Sequence, residues 1–200
     1  MSRIQLSNYR IILITIGLIG VLLFASPTIV LLVKLPPGQE YSEIYLLGPD
    51  HDLSNLPFNI EPNVSYLLYL GVVNNLKSAG YYSCLTKFGN DSTLLPNQTL
   101  GSPSSLPSLY EYNVFLDDGA TWETPFTFQI DTSNFANNTS QVSGININGI
   151  DYPVTLTSAW DSNKTGYYYS FFVELWLFNG TQGVSQYNDR FVSLILNMTQ

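Results

Sequence analysis

Twenty-three consecutive residues, Ile11 to Val33, carry no charge. As a helix rising about 1.5 Å per residue, such a run spans roughly 34 Å, enough to cross a hydrocarbon core of about 30 Å. A secretory leader needs only about 7 to 15 apolar residues followed by a small-x-small cleavage site. Near Ala25 and Ser26 that pattern is spoiled by Leu23 and Phe24, Pro27 follows, and the apolar run continues through Thr28 to Val33. The run therefore predicts a retained signal anchor, with Pro27 tolerated as a kink. A cleaved leader is the alternative. The expected organisation is a cytoplasmic tail over 1–10, the anchor over 11–33, a Pro/Gly hinge over 34–40 and an exported domain over 41–200.

Orientation follows from what flanks the run. Arg3 and Arg10 precede it and only Lys34 follows closely, which favours a cytoplasmic N-terminus. Beyond it lie eight N-x-S/T sequons, at Asn63, Asn90, Asn97, Asn137, Asn138, Asn163, Asn179 and Asn197, and none precedes it. A single sequon reads as an ordinary polar loop or strand residue. Eight on one side predict an extracellular domain bearing N-linked glycans, most readily at Asn90 and Asn97.

All 15 Asp and Glu lie beyond Lys34 against four basic residues there, Lys77, Lys87, Lys164 and Arg190, a formal charge of −11. Nucleic acid and anionic lipid surfaces are poor partners for such a domain. Charged residues nevertheless make up only 11% of the chain, so its polar surface must rest on Ser, Thr, Asn, Gln and Tyr. That surface changes little below a pH of about 4, which suggests an acidic external medium; a steep loss of fold between about pH 4 and pH 2 would contradict it. The single cysteine, Cys84, excludes an internal disulfide framework and reads as a buried strand thiol.

The rest of the chain reads as β-structure. Strands are predicted over 43–47, 64–74, 81–88, 112–116, 126–130, 145–147, 150–154, 167–177 and 191–198, with Asn148-Gly149 as a tight hairpin turn. Short aromatic and β-branched strands separated by Gly, Pro, Asn and Ser clusters imply two packed antiparallel sheets. Along "YYYSFFVELWL" the set Tyr167, Tyr169, Phe171, Val173, Leu175 and Leu177 is wholly apolar or aromatic, and it is the expected core face. The piece from Gly89 to Leu109 has no regular period and reads as a surface excursion.

The runs "EIYLLGPDHDLSNLPFNI", "YLLYLGVVNN", "LDDGATWETPFTF", "YYYSFFVELWLFN" and "YNDRFVSLILNM", in this order, resemble the exported domain of a family of archaeal predicted membrane proteins of unknown function. The resemblance covers most of residues 41–198. It implies an immunoglobulin-like β-sandwich on an archaeal cell surface, and it lends no reaction and no catalytic residues. Two departures stand out: family members often carry several membrane helices, and the acidic residue usual after Val-Asn is replaced by Asn75.

Candidate chemistry is sparse. Asp50, Asp52, Ser54 and Glu61 occupy positions 1, 3, 5 and 12 of a calcium-loop pattern, but Asn55 stands where glycine is wanted and Pro57 interrupts. A polar loop between strands is the better reading. His51, the one histidine, would have to serve any Ser-His-Asp or Cys-His arrangement, and no nucleophile elbow is present. One histidine, one cysteine and two methionines, Met1 and Met198, do not furnish a copper or zinc ligand set. Asp117 and Asp118 read as a turn before Gly119. Tyr167 to Tyr169 with Trp122, Trp160 and Trp176 could stack on a sugar, although such aromatics are more often core. The expectation is a non-catalytic, membrane-anchored extracellular module without cofactor or metal, binding another envelope or membrane protein or copies of itself. The alternatives are a carbohydrate-binding or adhesion ectodomain and an extracellular hydrolase.

Overall fold

The computed structural model describes residues 9–19, 39–93, 95–131 and 133–199. The chain divides into two units, Met1–Gln39 and Glu40–Gln200. In the first, residues 9–19 are helical and the Thr15 hydroxyl donates to the Ile11 carbonyl at 2.9 Å. Among the described residues no helix is long and apolar enough to cross a membrane. Most of the expected span, 20–33, and the hinge through residue 38 lie outside the described residues.

The second unit is all-β. Its strands are β1 (Tyr41–Leu47), β2 (Asn59–Ile60), β3 (Ser65–Asn75), β4 (Gly80–Asn90), β5 (Tyr110–Leu116), β6 (Thr121–Ile130), β7 (Ser133–Ala136), β8 (Thr139–Ile147), β9 (Ile150–Ala159), β10 (Tyr167–Asn179) and β11 (Val184–Met198). Sheet A has the order β1-β3-β6-β8-β7, with β9 also paired to β8; sheet B has the order β2-β11-β10-β4-β5. Every pairing is antiparallel except the short one between β2 and β11. The two inner faces enclose one core.

All nine predicted strands are present, most of them longer than the sequence implied, and β2 and β7 are additions. The differences have local causes. The predicted strand begins at Phe126, yet β6 runs back through Pro125, because over that stretch β6 has β3 on one side and meets β8 only from Phe128. The last predicted strand begins at Phe191, but β11 begins at Val184 and is continuous, with Asp189, at φ 55°, in a bulge opposite Leu175 and Trp176. Asn148 and Gly149, at φ 51° and 81°, make the predicted hairpin turn. Asn137 and Asn138, at φ 52° and 58°, make a second one that the sequence reading missed.

Alternation puts Tyr169, Phe171, Val173 and Leu175 in the core as expected. Phe171 stacks on Phe128 at 5.0 Å and on Phe126 at 5.4 Å, so the two sheets are joined through an aromatic centre. Burying each such side chain contributes about 1.5–3 kcal/mol. Cys84 lies in this core too; burial pushes its thiol up to about 12, so it stays protonated at neutral pH.

A polar side chain at one end of the core is wholly enclosed and hydrogen-bonded. Asn74, at the end of β3, donates through Nδ2 to the carbonyls of Ser78, Leu116 and Asp117, and accepts at Oδ1 from the Leu76 N–H and the Tyr82 hydroxyl. Its backbone exchanges hydrogen bonds with Gly119 and Ala120. A single amide thus ties the β3–β4 turn to the β5–β6 turn.

Candidate functional site

The opposite set on β10, the one not expected to be the core face, includes Tyr168, Phe172 and Glu174. All three are buried: the segment between β4 and β5 lies over Glu174, through Ser104, while Tyr168 meets Phe58 and Lys164. The surface excursion expected over Gly89 to Leu109 is largely exposed from Asp91 onward, among its described residues, and it is held down as a strap. Its Gly101, at φ 62°, sits against Asp189 of β11, and an added Cβ there would lie 3.0 Å from the Asp189 carboxylate. Its last residue, Leu109, donates its N–H to the Thr86 carbonyl of β4.

An ion pair lies beneath the strap. Lys87 Nζ is 2.9 Å from Glu174 Oε2, with side chains 5% and 0% exposed. The ammonium also donates to the Ser104 carbonyl at 2.8 Å, while Glu174 accepts from the Ser104 N–H at 2.7 Å and from Trp176 Nε1 at 3.0 Å. Both charges are paired and hydrogen-bonded, the condition under which burial is tolerated. Sequence reading passed over this pair. The signal was present, since Lys87 and Glu174 each stand alone in an otherwise uncharged strand.

Past the strap the same face is open. Tyr81 of β4 is directly opposite Phe115 of β5, and Phe178 of β10 lies one residue beyond the Leu177–Tyr82 pair, level with Tyr81. Their exposures are 43%, 64% and 43%. With strands about 4.8 Å apart, they form a row roughly 10 Å long across three strands. In the next row Ser83 donates to Asn113 at 2.6 Å, and Trp176 packs against Tyr187 at 6.1 Å. Burial, with Glu174 and Asp189 nearby, pushes the Tyr187 hydroxyl up to about 12.

His51 sits elsewhere, on the outer face of sheet A. At φ 57° it stacks on Tyr69 at 3.7 Å, and its Nδ1 lies 2.7 Å from Glu123 Oε1. Tyr45 lies over Gly71 and donates to Glu123 Oε2 at 3.0 Å; burial, then the Glu123 carboxylate, pushes its hydroxyl up to about 12. His51 thus engages a carboxylate, and Cys84 lies in the core, away from it. Asp52 accepts from the N–H and hydroxyl of Ser54, and Asp50 accepts from Asn55. Asn55 does supply the positive φ, 57°, of the calcium-loop position, yet among the described residues no cluster of three or more His, Cys, Asp or Glu could hold a metal ion. Asp117 and Asp118 form the expected turn, with Gly119 at φ 73° and Asp118 accepting the Lys77 N–H.

The aromatics weighed as a sugar platform do not share a plane. Tyr167, Tyr168 and Tyr169 are buried, Trp122 packs edge-on against Tyr112, and Trp160 meets Tyr167 at 71°. Trp160 borders a cleft of about 310 Å³ with Thr165, Gly166 and Thr199, and a second of about 350 Å³ opens in the strap near Leu95 and Pro103. Both are lined by uncharged residues.

The sequons fall into two groups. Asn63, Asn97, Asn137, Asn138 and Asn163 are exposed. Asn90, Asn179 and Asn197 are half-buried, and their Nδ2 atoms donate to the Thr157 carbonyl, Gln186 Oε1 and Asn59 Oδ1.

No protein-family model matches the chain, and no curated protein matches it. Among solved structures it is similar to β-glucosidase from Listeria innocua in complex with glucose, at 13% identity over 84% of this chain and 19% of that one, with a TM-score of 0.41. For the same enzyme in complex with isofagomine the figures are 13%, 83%, 18% and 0.39. Spo0M, a sporulation control protein from Bacillus subtilis, gives 8% identity over 78% of this chain and 90% of that one, with a TM-score of 0.30. The chain spans less than a fifth of the β-glucosidase length. Likenesses this distant carry no functional argument.

Proposed function

We propose that the chain is a non-catalytic, membrane-anchored extracellular module that binds another envelope or membrane protein, its β-sandwich being of immunoglobulin-like type. The observation that carries this reading is the open edge of β5. An edge strand presents unpaired N–H and C=O groups to any extended segment, unless proline, bulges, charge or a covering element protects it. β9 carries Pro153 and a bulge at its partner strand, and Asn90 caps its Thr157 carbonyl. β11 carries the Asp189 bulge and β2, and β1 lies beside β11. β5 has no proline, no glycine and no bulge, and Glu111 is its one charge.

The test is co-purification of the full chain from native membranes in mild detergent. Asn113→Lys on β5, or replacement of Ile11 to Val33 by an unrelated apolar span, is expected to remove the partner; His51→Ala and Cys84→Ser are expected to retain it. Loss of a measurable turnover in a folded His51→Ala variant would instead support the hydrolase alternative.

An extracellular location also carries sugars in this reading. Glycopeptide mapping of the native protein is expected to find N-linked glycan on exposed sequons such as Asn97 and Asn163, and none on Asn197, whose amide bridges β11 to β2. An intact mass equal to the bare polypeptide would remove this support.

A further inference from the structure

The β-sandwich has two unlike ends. At one end β3 turns into β4, β5 into β6 and β10 into β11, and β1 begins at Tyr41 opposite Asn75. Here lie the exposed row Phe115, Tyr81 and Phe178, with Tyr41 and Val184 also exposed. At the other end lie Asn63, Asn90, Asn137, Asn138, Asn163 and Asn197. Asn97 is on the strap, and the one sequon at the aromatic end, Asn179, has its amide nitrogen bonded to Gln186. Sequence order does not require this segregation. It leaves Asn179 as the aromatic end's one sequon among the eight.

We propose, building on the binding-module reading, that this row is the side-chain half of the same interface. Its occupant is a protein surface with an uncharged apolar centre and a basic rim, carried by another protein at the membrane. The apolar centre follows from the row: three aromatic side chains on rigid neighbouring strands present large area at low entropic cost, as the anchors of protein interfaces do. The basic rim follows from charge. Glu111 is two positions along β5 from Asn113 on the outward face, and the exposed turn after Leu116 carries Asp117 and Asp118. These acids disfavour an anionic lipid surface, and the exported part bears a formal charge of −11 that repels a second copy of itself. That the partner is at the membrane rests on the anchor reading; within the domain, β1 begins at this end, at Tyr41. A strand added to β5 would lie beside Phe115, so backbone pairing and aromatic contact belong to one surface.

The experiment places the photo-reactive residue p-benzoylphenylalanine at position 115 of the full-length chain, with a control probe at position 163, irradiates native membranes, and sequences the cross-linked peptides. The expected product joins position 115 to a different polypeptide, close to its Lys or Arg residues. Its yield is expected to fall about tenfold on Glu111→Lys with Asp117→Lys, and similarly in high salt, while the probe at 163 stays unreacted toward that polypeptide. Cross-linking of position 115 to lipid, to polysaccharide or to a second copy of this chain would overturn the proposal, as would a yield indifferent to both acids and to salt. A partner that co-purifies but reacts only with the probe at 163 would overturn this inference and leave the binding-module reading standing. The absence of any co-purifying partner would overturn both.

Discussion

Glu174→Ala is expected to destabilise the domain by about 3–5 kcal/mol, because it leaves the Lys87 ammonium buried without its counter-charge. The loss also removes the acceptor for the Ser104 N–H and for Trp176 Nε1, so the strap loses its attachment to β10 at the same stroke. Urea denaturation of the full chain in detergent would measure the first effect, and amide hydrogen exchange over residues 91–109 the second. Lys87→Met combined with Glu174→Leu is expected to recover most of the stability, since an apolar pair needs no desolvated charge. It should not restore slow exchange at Ser104, which needs the carboxylate. A single substitution costing less than about 1 kcal/mol would show that water reaches the pair and that the strap is not held by it.

The second large effect is expected at Asn74. Asn74→Leu fills a similar volume but leaves the carbonyls of Ser78 and Leu116, the Leu76 N–H and the Tyr82 hydroxyl without this partner. At about 1–3 kcal/mol for each buried group left unsatisfied, with partial relaxation, a loss of about 3–5 kcal/mol is expected. Asn74→Asp should be no milder, because a carboxylate accepts but does not donate to the three carbonyls that face Nδ2. Ser83→Ala, which removes one hydrogen bond at a partly solvated site, serves as the control and should cost about 1 kcal/mol or less. Equal effects at Asn74 and Ser83 would remove Asn74 from its role as the tie between the two turns.

What was legible in the sequence was local. Alternation along β10 placed Tyr169, Phe171 and Val173 inward, because neighbouring side chains on a strand must take opposite faces. Asn148-Gly149 announced a hairpin because both residues tolerate positive φ, and Cys84 read as buried because its strand is apolar. The all-β class followed from many such windows in succession. Where the predicted strands began late, at Phe126 and Phe191, the structure carries β6 back through Pro125 and β11 back through Asn188-Asp189. Only the neighbours revealed that β6 has one partner there and that β11 absorbs the break as a bulge.

What only the tertiary structure decided was register and cover. Nothing in the strand of Lys87 names Glu174 as its partner, and neither charge reveals that a strap will close over it. Asn74 looked like an ordinary polar strand end until two turns distant in sequence were folded onto its amide. Tyr81, Phe115 and Phe178 become one row only because β4 pairs with β5 on one side and β10 on the other in a particular alignment. A shift of one residue would send every one of those side chains to the opposite face. Periodicity is a property of adjacent residues and is written along the chain, whereas register is chosen by the summed packing of both faces, which exists only once all the strands are in place.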